Sequence, residues 1–368
     1  GSSAAFGTGT NAVTAAMTSA QAETPRADQI GGVGENAALG GADGFRAIAP
    51  EYTKLYVSPK TIAHLFEFSE LGMEMAAIDD GVGDIRAIVR EDMGKLHAEV
   101  QSKMLVMPLE KYSENGTTGI EKNYTSLMKI ISSAAELAKM ADDDVFYHNQ
   151  TNNGTAAQLA DATTIFGSTR TVTVDTSGGT GAYTYTGVAS FLDAEVDFGT
   201  DYTSGNCRVL TLSILNDMIR RIRTNGGNPK VIITGYDTIQ KLSDLLQSQE
   251  RFMDRKEIVP SHNGVRGVKG QEVGFRVATY YDIPIIPAKD MPSTGQSTSN
   301  RLSDMLILDT DHLWLSVMKP TQYFEDGITS GNPFGVGKLG NQGMYRTMGE
   351  TCCSFFKGQG KITNLKSA

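Results

Sequence analysis

The chain has 368 residues, 40% hydrophobic and 20% charged, with a formal net charge of −9; this length can bury a sizeable core and makes two domains the default expectation. The acidic balance argues against a tight nucleic-acid binder, which needs a basic face, yet it is too mild to indicate a disordered acidic tail. Three cysteines, Cys207, Cys352 and Cys353, do not make a disulfide framework and favour a reducing cytoplasm, and no apolar run approaches the roughly 20 residues of a membrane helix.

The first 50 or so residues contain few large apolar side chains. Thr10 to Glu23 predicts one weak helix, and the glycine-rich stretches after it hold almost nothing that could anchor a core. Because such a segment cannot offset its ordering entropy alone, composition favours a disordered tail. The alternative is an arm and loop that become ordered only against neighbouring subunits. The start at Gly1 rather than Met fits either a cloning remnant or a processed protein.

The first clear patterns lie between residues 52 and 107. Tyr52 to Val57 predicts a strand, and a short helix capped by Ser69 follows it. The longest helical signal runs from Ile85 to Met107, where apolar residues recur at helical spacing and Glu–Lys pairs lie four residues apart. Such a helix would be roughly 35 Å long. Pro108 ends it, and its methionines are interpreted as core residues rather than as a binding motif.

A third helix is predicted from Asn123 to Met140 by its apolar spacing. The three aspartates that follow, at 142–144, have the spacing of no Ca²⁺ loop and predict a solvated turn. Two period-two segments around a Ser-Gly-Gly-Thr-Gly cluster predict a surface β-hairpin at 165–190, which we interpret as an insertion. The glycine cluster lacks the lysine and the helix of a phosphate-binding loop.

The most regular stretch runs from Thr211 to Pro287. It predicts, in order, a helix at Thr211–Arg223, a buried strand at Lys230–Thr234, a second helix capped by Asp237 with Gln240 completing a capping box, a long loop, and a strand at Tyr281–Pro287. This is a packed α/β core without obvious chemistry. Later strands are predicted at Met305–Asp309 and Leu313–Met318, joined by a tight turn, and extended segments at Tyr345–Phe356 and Gly360–Leu365.

No catalytic, cofactor-binding or metal site is predicted. None of the five histidines has a His or Cys partner at metal-ligand spacing, and these are His64, His97, His148, His262 and His312. A glycine-rich run ending in Lys338 mimics a phosphate loop, but Leu339 stands where Ser or Thr is needed. There is no nucleophile elbow, zinc-protease motif or dinucleotide fingerprint. A dispersed active site stays open, but these absences are more typical of a binding or structural protein.

The order of elements resembles the major capsid proteins of tailed bacterial and archaeal viruses, which share the Hong Kong 97 fold. The likeness spans roughly residues 50 to 366, looks greatest to the archaeal-virus members, and rests in the first half on element order alone. In the second half it is carried by Leu212–Arg223, Pro229–Ile239, Gln249–Met253, Tyr281–Pro287, Leu306–Trp314, Lys319–Glu325, Tyr345–Glu350 and Phe355–Lys361.

The resemblance implies an α+β, Hong Kong 97-like capsid fold in six segments. These are an N-terminal arm (1–26), an extended loop region (27–56), a peripheral domain (57–122) with a long spine helix at 84–107, a connecting helix and β-hairpin insertion (123–208), an axial domain (209–318), and closing strands that return to the peripheral domain (319–368). The spine helix is assigned to 84–107 rather than to Asn123–Met140 because it is longer and a short helix precedes it. The resemblance also favours an ordered arm over a disordered tail.

The function that the resemblance implies is assembly, without enzyme activity and without a cofactor. Hexamers and pentamers of the chain would form an icosahedral shell that encloses double-stranded DNA. The expected partners are further copies, a portal protein, a candidate decoration protein and DNA held without tight sequence-specific binding, with no membrane. The expected location is the virion, assembled in the host cytoplasm. Alternatives are an encapsulin-like compartment, which would usually be shorter, and an α/β enzyme with a cleft of perturbed carboxylates or histidines.

Overall fold

The computed structural model describes residues 54–69, 71–72, 75, 78, 85–110, 112–113, 116–117, 121–142, 146–147, 150–151, 164–175, 184–199, 207–247, 255–258, 275–294, 300–325 and 340–367. The chain divides into two compact units, residues 1–54 and 55–368, and the elements below belong to the second. The predicted arm at 1–26 and most of the predicted loop at 27–56 lie outside the described residues. Within these ranges, no helix is long and apolar enough to cross a membrane.

The helices whose ends are described are α1 (Ile85–Val106), α2 (Leu127–Ile130), α3 (Ala134–Asp142), α4 (Leu212–Thr224) and α5 (Tyr236–Gln247), with a 3₁₀ turn at Phe356–Gly358. The strands are β1 (Lys60–Ser69), β2 (Tyr112–Ser113), β3 (Gly116–Thr117), β4 (Phe146–Tyr147), β5 (Gln150–Thr151), β6 (Thr164–Ile165), β7 (Ser168–Thr169), β8 (Val172–Asp175), β9 (Thr184–Gly187), β10 (Glu195–Asp197), β11 (Arg208–Val209), β12 (Val231–Thr234), β13 (Arg255–Ile258), β14 (Phe275–Tyr280), β15 (Ile283–Pro287), β16 (Met305–Leu308), β17 (Leu313–Glu325), β18 (Gly340–Cys353), β19 (Gly360–Ile362) and β20 (Leu365–Lys366).

A seven-stranded mixed sheet has the strand order β10-β19-β16-β12-β15-β14-β13. Its middle strand, β12, runs parallel to β15 and antiparallel to β16. Successive side chains of β16 point to opposite faces, so Met305 and Ile307 join one core cluster while Leu306 and Leu308 join another. Because both faces of the sheet are covered, its inner strands are continuous apolar runs rather than alternating ones.

Helices α4 and α5 contribute to the same core cluster on one face of this sheet. Leu215, Met218, Ile219 and Ile222 of α4 are buried there, together with Leu242 of α5. The helix predicted at Thr211–Arg223 is confirmed to within one residue at each end. The predicted strand at Lys230–Thr234 is also confirmed, as β12.

The predicted capping role of Asp237 is wrong. Helix α5 begins at Tyr236, so Asp237 lies in its first turn rather than before it. Its Oδ2 accepts a hydrogen bond of 2.7 Å from the backbone N–H of Ser303. The carboxylate therefore ties α5 to the segment that leads into β16, and a position in the first turn still suits its negative charge.

The single helix predicted from Asn123 to Met140 is corrected to two short helices, α2 and α3. The Oγ of Ser126 caps α2 by accepting a hydrogen bond of 3.2 Å from Lys129 N–H. The Oγ of Ser133 accepts a hydrogen bond of 3.2 Å from Glu136 N–H at the start of α3. Serine hydroxyls compete for backbone groups in this way, and they interrupt a helix that apolar spacing alone would continue.

The predicted hairpin at 165–190 is present as β8 and β9, which pair from Val172↔Gly187 to Asp175↔Thr184. Its base is not on the surface. Arg170 is fully buried and donates hydrogen bonds of 2.9–3.1 Å to the carbonyl groups of Lys129, Ile130 and Leu192. These bonds hold the hairpin against the end of α2. Its status as an insertion stays a prediction.

Other strand predictions change in detail. Residues 54–57 form no strand, so the strand predicted at Tyr52–Val57 is wrong over that part. Tyr281 and Asp282 form a turn, and the strand predicted from Tyr281 starts at Ile283. β16 is present as predicted, whereas β17 continues to Glu325 instead of ending at Met318, and the two strands belong to different sheets. The predicted extended segments near the end of the sequence correspond to β18, β19 and β20.

A buried ion pair joins α3 to β19 inside the apolar core. Lys361 Nζ lies 2.7 Å from Glu136 Oε2, and both side chains are fully buried; the same Nζ donates to the carbonyl of Met128 at 3.2 Å. Burial lowers the pKa of Lys361, and the carboxylate of Glu136 opposes that shift. Asp304 close by accepts hydrogen bonds from Thr294, and burial raises the pKa of Asp304 to about 7.

We expect Lys361→Met to destabilise the subunit by about 3–5 kcal/mol, because it leaves the Glu136 carboxylate buried without its cation. The double variant Lys361→Met/Glu136→Leu should recover most of that loss. The measurement is the free energy of unfolding of isolated subunits in urea. The matched control is Lys230→Met, since Lys230 forms an exposed pair with Asp311 and should cost about 1 kcal/mol or less. Equal losses at both lysines would contradict the prediction.

Candidate assembly surface

A second sheet consists of β1, β18 and β17, in that order and antiparallel throughout. We call it the assembly sheet. β1 pairs with β18 continuously from Lys60↔Gly349 to Ser69↔Gly340. β17 pairs with the other edge of β18 and is 13 residues long. Among the described strands, β17 has β18 as its one neighbour, so the outer edge of β17 has no described strand beside it.

Helix α1 packs on one face of the assembly sheet through aromatic side chains. The ring centroid of Tyr345 in β18 lies 6.1 Å from that of Phe66 in β1 and 5.2 Å from that of Tyr323 in β17. Tyr345 Oη donates a hydrogen bond of 2.9 Å to the carbonyl of Arg90 in α1. The Arg90 guanidinium lies 5.4 Å from the ring centroid of Tyr323, a cation–π contact. Both β18, through Tyr345, and β17, through Tyr323, are therefore fixed to α1.

Two histidines join α1 to β1 within this layer. The Nδ1 atoms of His64 and His97 lie 2.6 Å apart, and His97 Nε2 lies 2.8 Å from Thr347 Oγ1 of β18. Two Nδ1 atoms in contact must share one proton, so the pair cannot hold both imidazoles protonated. His97 is 2% exposed, and burial, followed by the charge of His64, lowers the pKa of His97.

The N-terminal end of α1 is fastened to the far end of β17 by a charged contact. Arg86 lies in the first helical turn, where a cation is unfavourable because the helix dipole is positive there. Its Nη2 donates a hydrogen bond of 2.8 Å to Glu325 Oε2, which also accepts one of 2.7 Å from Tyr323 Oη. Burial and the neighbouring Glu325 raise the pKa of Tyr323. The carboxylate of Glu325 thus compensates the cation and orients the tyrosine.

The face of the assembly sheet opposite α1 carries exposed apolar side chains. The odd-numbered residues of β1 are exposed along its whole length, and Leu65 is 63% exposed. The strand register aligns Leu65 with Met344 of β18, and Met344 with Phe324 of β17. These three side chains form a continuous apolar row across the sheet. The guanidinium of Arg346 lies 4.5 Å from the ring centroid of Phe324 at its border.

The other exposed apolar surface lies on β17. Its residues from Trp314 to Gln322 are all exposed, which includes Val317 and Met318, the latter 67% exposed. Register shifts between Val317 and Gln322 interrupt its pairing with β18. Pro320 lies in this irregular part, as expected for a residue without an N–H to donate. An apolar edge strand of this length is a site at which a further chain can pair.

The sequence predicts no metal or catalytic site at any of the five histidines. The structure brings two of them, His64 and His97, into contact, although 33 positions separate them in the sequence. His312 contacts Ser354 Oγ at 3.1 Å, and His148 and His262 lie outside the described residues. Within the described ranges no three His, Cys, Asp or Glu side chains are grouped as metal ligands would be. Sequence reasoning missed the exposed surface of β17, although Pro320 inside a strand pattern is a signal for an edge strand.

Comparison with known proteins now decides the family. The model of the SU10 major capsid protein family matches residues 124–332, which is more than half of the chain. The chain belongs to this family. It is a major capsid protein of a tailed virus, and copies of it build an icosahedral shell. The family gives the protein a structural role in the capsid.

A solved capsid structure is similar in fold to this capsid protein. The capsid asymmetric unit of cyanophage A-1(L) has a TM-score of 0.50 at 13% identity, covering 90% of this chain and 85% of that chain. This supports the α+β, Hong Kong 97-like fold. The SrpI encapsulin of Synechococcus elongatus PCC 7942 has a TM-score of 0.46 at 8% identity, covering 84% of this chain and 75% of that chain. The capsid of the native GTA particle has a TM-score of 0.46 at 10% identity, covering 90% of this chain and 80% of that chain.

No curated protein matches the chain. The closer likeness to members from archaeal viruses stays a prediction, as do the boundaries of the six segments. Of the assembly sheet, only β17 lies inside the matched residues 124–332, while β1 and β18 lie outside them.

Protonation of His97 should contribute a loss of stability to the capsid protein as the pH falls below 6.5. His97 has a lowered pKa in the folded state, so the unfolded chain binds more protons below the ordinary value of 6.5. The contribution of His97 to the free energy of unfolding is therefore complete above pH 6.5, and it is lost as the pH falls from there towards the lowered pKa of His97. We expect the free energy of unfolding, measured on isolated subunits across this range, to fall less steeply with acid in His97→Gln than in the wild type.

The comparison between variant and wild type removes the contributions of other titrating groups, including Asp304. His312→Gln serves as the control, because His312 lies outside the contact between α1 and the assembly sheet. It should keep the wild-type pH dependence. A wild-type slope in His97→Gln would show that the histidine pair does not couple α1 to protonation.

Proposed function

We propose that this capsid protein assembles as hexamers and pentamers through its axial domain, residues 209–318, and that these units tile into a closed shell around double-stranded DNA. In this proposal α1 is the spine helix of a peripheral domain at 57–122. The segments at 1–26 and 27–56 act as the arm and the extended loop, and 319–368 returns to the peripheral domain. Residues 123–208 form the connecting helices and the inserted hairpin.

The observation that carries assembly is the exposed apolar surface of the assembly sheet, which lies mostly in the proposed peripheral domain and closing strands and would add contacts to those of the axial domain. Folded chains that act alone rarely expose contiguous apolar patches, and larger ones mark surfaces that bind a partner. Here the row Leu65–Met344–Phe324 and the exposed stretch of β17 belong to one sheet, on its open face and along its edge. In a closed shell every copy meets neighbouring copies, so a second copy is the partner that is always available.

The charge of the chain supports enclosure of DNA without tight binding. A net charge of −9 gives each subunit weak average repulsion from phosphates, which suits a wall that confines a genome and must not trap it. In this proposal a portal protein completes the shell, a decoration protein is a candidate for the outer surface, and assembly takes place in the host cytoplasm.

The experiment that tests assembly is negative-stain electron microscopy of the purified protein with light scattering. We expect closed shells or rings of five and six subunits. DNA inside the particles supports the viral function, whereas protein cargo without DNA would indicate an encapsulin-like compartment. A stable monodisperse monomer or dimer across salt and pH would contradict assembly altogether.

Leu65→Asp and Met318→Asp should block assembly while the subunit stays folded. Both side chains are exposed in the single chain, so the free energy of unfolding should change by about 0.5 kcal/mol or less. Each carboxylate would have to be desolvated when a neighbour covers the sheet, which is unfavourable without a paired cation. Light scattering measures the assembled fraction, and chemical denaturation measures folding.

The matched control is Val188→Asp, which places the same charge on an exposed apolar residue outside the assembly sheet. We expect this variant to assemble as the wild type does. Loss of assembly in all three variants would mean that added negative charge, and not the covering of the assembly sheet, prevents shell formation.

Isolated subunits should bind duplex DNA only weakly at physiological salt. The expected result is a fluorescence-anisotropy titration with labelled duplex that does not reach saturation in the affinity range of specific DNA-binding proteins, about 10⁻⁸ to 10⁻¹¹ M. Binding in that range would contradict a wall that confines DNA without gripping it.

A further inference from the structure

A groove of about 460 Å³ lies between α4 and the turn that joins β14 to β15. It is lined by Asn216, Ile219, Arg220, Arg223, Thr224 and Tyr281. The assembly sheet contributes none of these residues. The groove is therefore separate from the assembly sheet, and it lies within the axial domain proposed at 209–318.

The sequence of α4 places the polar lining on one side of the helix. Asn216, Arg220 and Arg223 follow at spacings of four and three, so they share one face. Leu215, Met218 and Ile222 point into the core, and Ile219, which is also buried, forms the floor of the groove. The same amphipathic helix thus anchors the sheet with one side and presents two guanidinium groups with the other.

The opposite wall is a strained turn. Tyr281 and Asp282 have φ values of +50° and +62°, a region that side chains other than glycine rarely adopt. The turn is held by a hydrogen bond of 2.5 Å from Tyr280 Oη to Asn216 Oδ1 of α4. Tyr281 is 62% exposed, so its ring is presented at the groove rather than packed in the core.

The charges around the groove favour an anionic partner. Two of its lining residues are arginines and none is a carboxylate. Asp217 lies beside the groove and pairs with Arg220 at 2.8 Å and with Arg221 at 3.0 Å. The side chain of Arg223 has no ion-pair or hydrogen-bond partner among the described residues. In a chain of net charge −9, this is a local concentration of cationic groups whose planar geometry suits phosphate oxygens.

We propose that this groove contacts the phosphate backbone of the packaged double-stranded DNA, which places the α4 side of the subunit towards the inside of the shell. The inference rests on the proposed enclosure of DNA. Guanidinium groups, the Asn216 amide, and the hydroxyls of Thr224 and Tyr281 are the donors that proteins use to bind phosphates without reading sequence. One groove makes few contacts and binds weakly, but the shell repeats it in every copy.

DNA is favoured over an acidic surface of another copy by the composition of the groove. The centre of a protein–protein interface is depleted in charged residues and enriched in apolar ones. Here the one aliphatic lining side chain, Ile219, is already buried within the subunit, and the donors of Asn216, Arg220, Arg223 and Thr224 line the groove beside the exposed Tyr281 ring. The arginines gain from neutralised phosphates and released counterions.

The test compares Arg220→Ala/Arg223→Ala with the single variants Arg223→Ala and Arg221→Ala in the full chain. Arg221 lies on the same helix but pairs with Asp217 and Glu195 and does not line the groove. Binding of a short labelled duplex to isolated subunits is measured by fluorescence anisotropy over a range of salt concentrations. Each groove arginine removed should reduce the slope of log K against log salt by about 1, and Arg221→Ala should leave it within error of the wild type.

Shell formation is measured separately by electron microscopy, without DNA. The proposal predicts that the double variant still forms shells and that these retain less DNA than the wild type. Three results would overturn it: an unchanged salt slope in the double variant, an equal change in Arg221→Ala, or failure of the double variant to assemble without DNA, which would make the groove a contact between copies. Failure of the wild type to form shells would instead count against the proposed function, and the salt slopes would still report on the groove.

Discussion

Strand β18 is the element on which the peripheral part of the structure depends. It pairs with β1 on one edge and β17 on the other, and Tyr345 and Thr347 on its buried face hold α1. Its close packing needs small residues at defined places. A side chain at Gly343 would bring Cβ to 2.5 Å from the ring of Phe66. Because β18 lies near the end of the sequence and β1 in its first quarter, the pairing of these two strands is a long-range contact.

The assembly sheet and the seven-stranded sheet differ in how far their apolar side chains are buried. In the seven-stranded sheet β16 is buried on both faces, and the chain needs nothing further to exclude water there. In the assembly sheet one face is covered by α1, while the opposite face and the β17 edge leave large apolar groups exposed. A stable core combined with an incomplete surface suits a protein whose final environment is supplied by its neighbours, since many weak contacts then act together.

The charged groups of the chain are unevenly distributed. The chain is acidic as a whole, yet α4 carries three arginines close together, and two of them line the groove beside Tyr281. Buried charges serve a different purpose: Lys361 with Glu136 and Arg170 with three carbonyl groups connect α2, α3 and the hairpin at the centre of the fold. Overall composition therefore says little about local electrostatics, because charged groups act over roughly a Debye length, about 8–10 Å.

The sequence by itself determined the elements whose signals are local. Helix α4 follows from apolar spacing and strands β12 and β16 from short β-branched or apolar runs, because side-chain periodicity fixes which face is buried. Apolar spacing also predicted the extent of α1, but the buried side chains of that helix are His97 and Val106. The order of these elements was enough to suggest the capsid family.

Tertiary structure decided what depends on distant partners. It placed β17 in a different sheet from β16, broke the helix after residue 130 through serine hydroxyls, and paired His64 with His97. It also joined Tyr345 to Arg90, 255 positions away in the sequence. The spacing of residues along the chain does not predict such contacts, since they arise only when packing has brought the strands and α1 together.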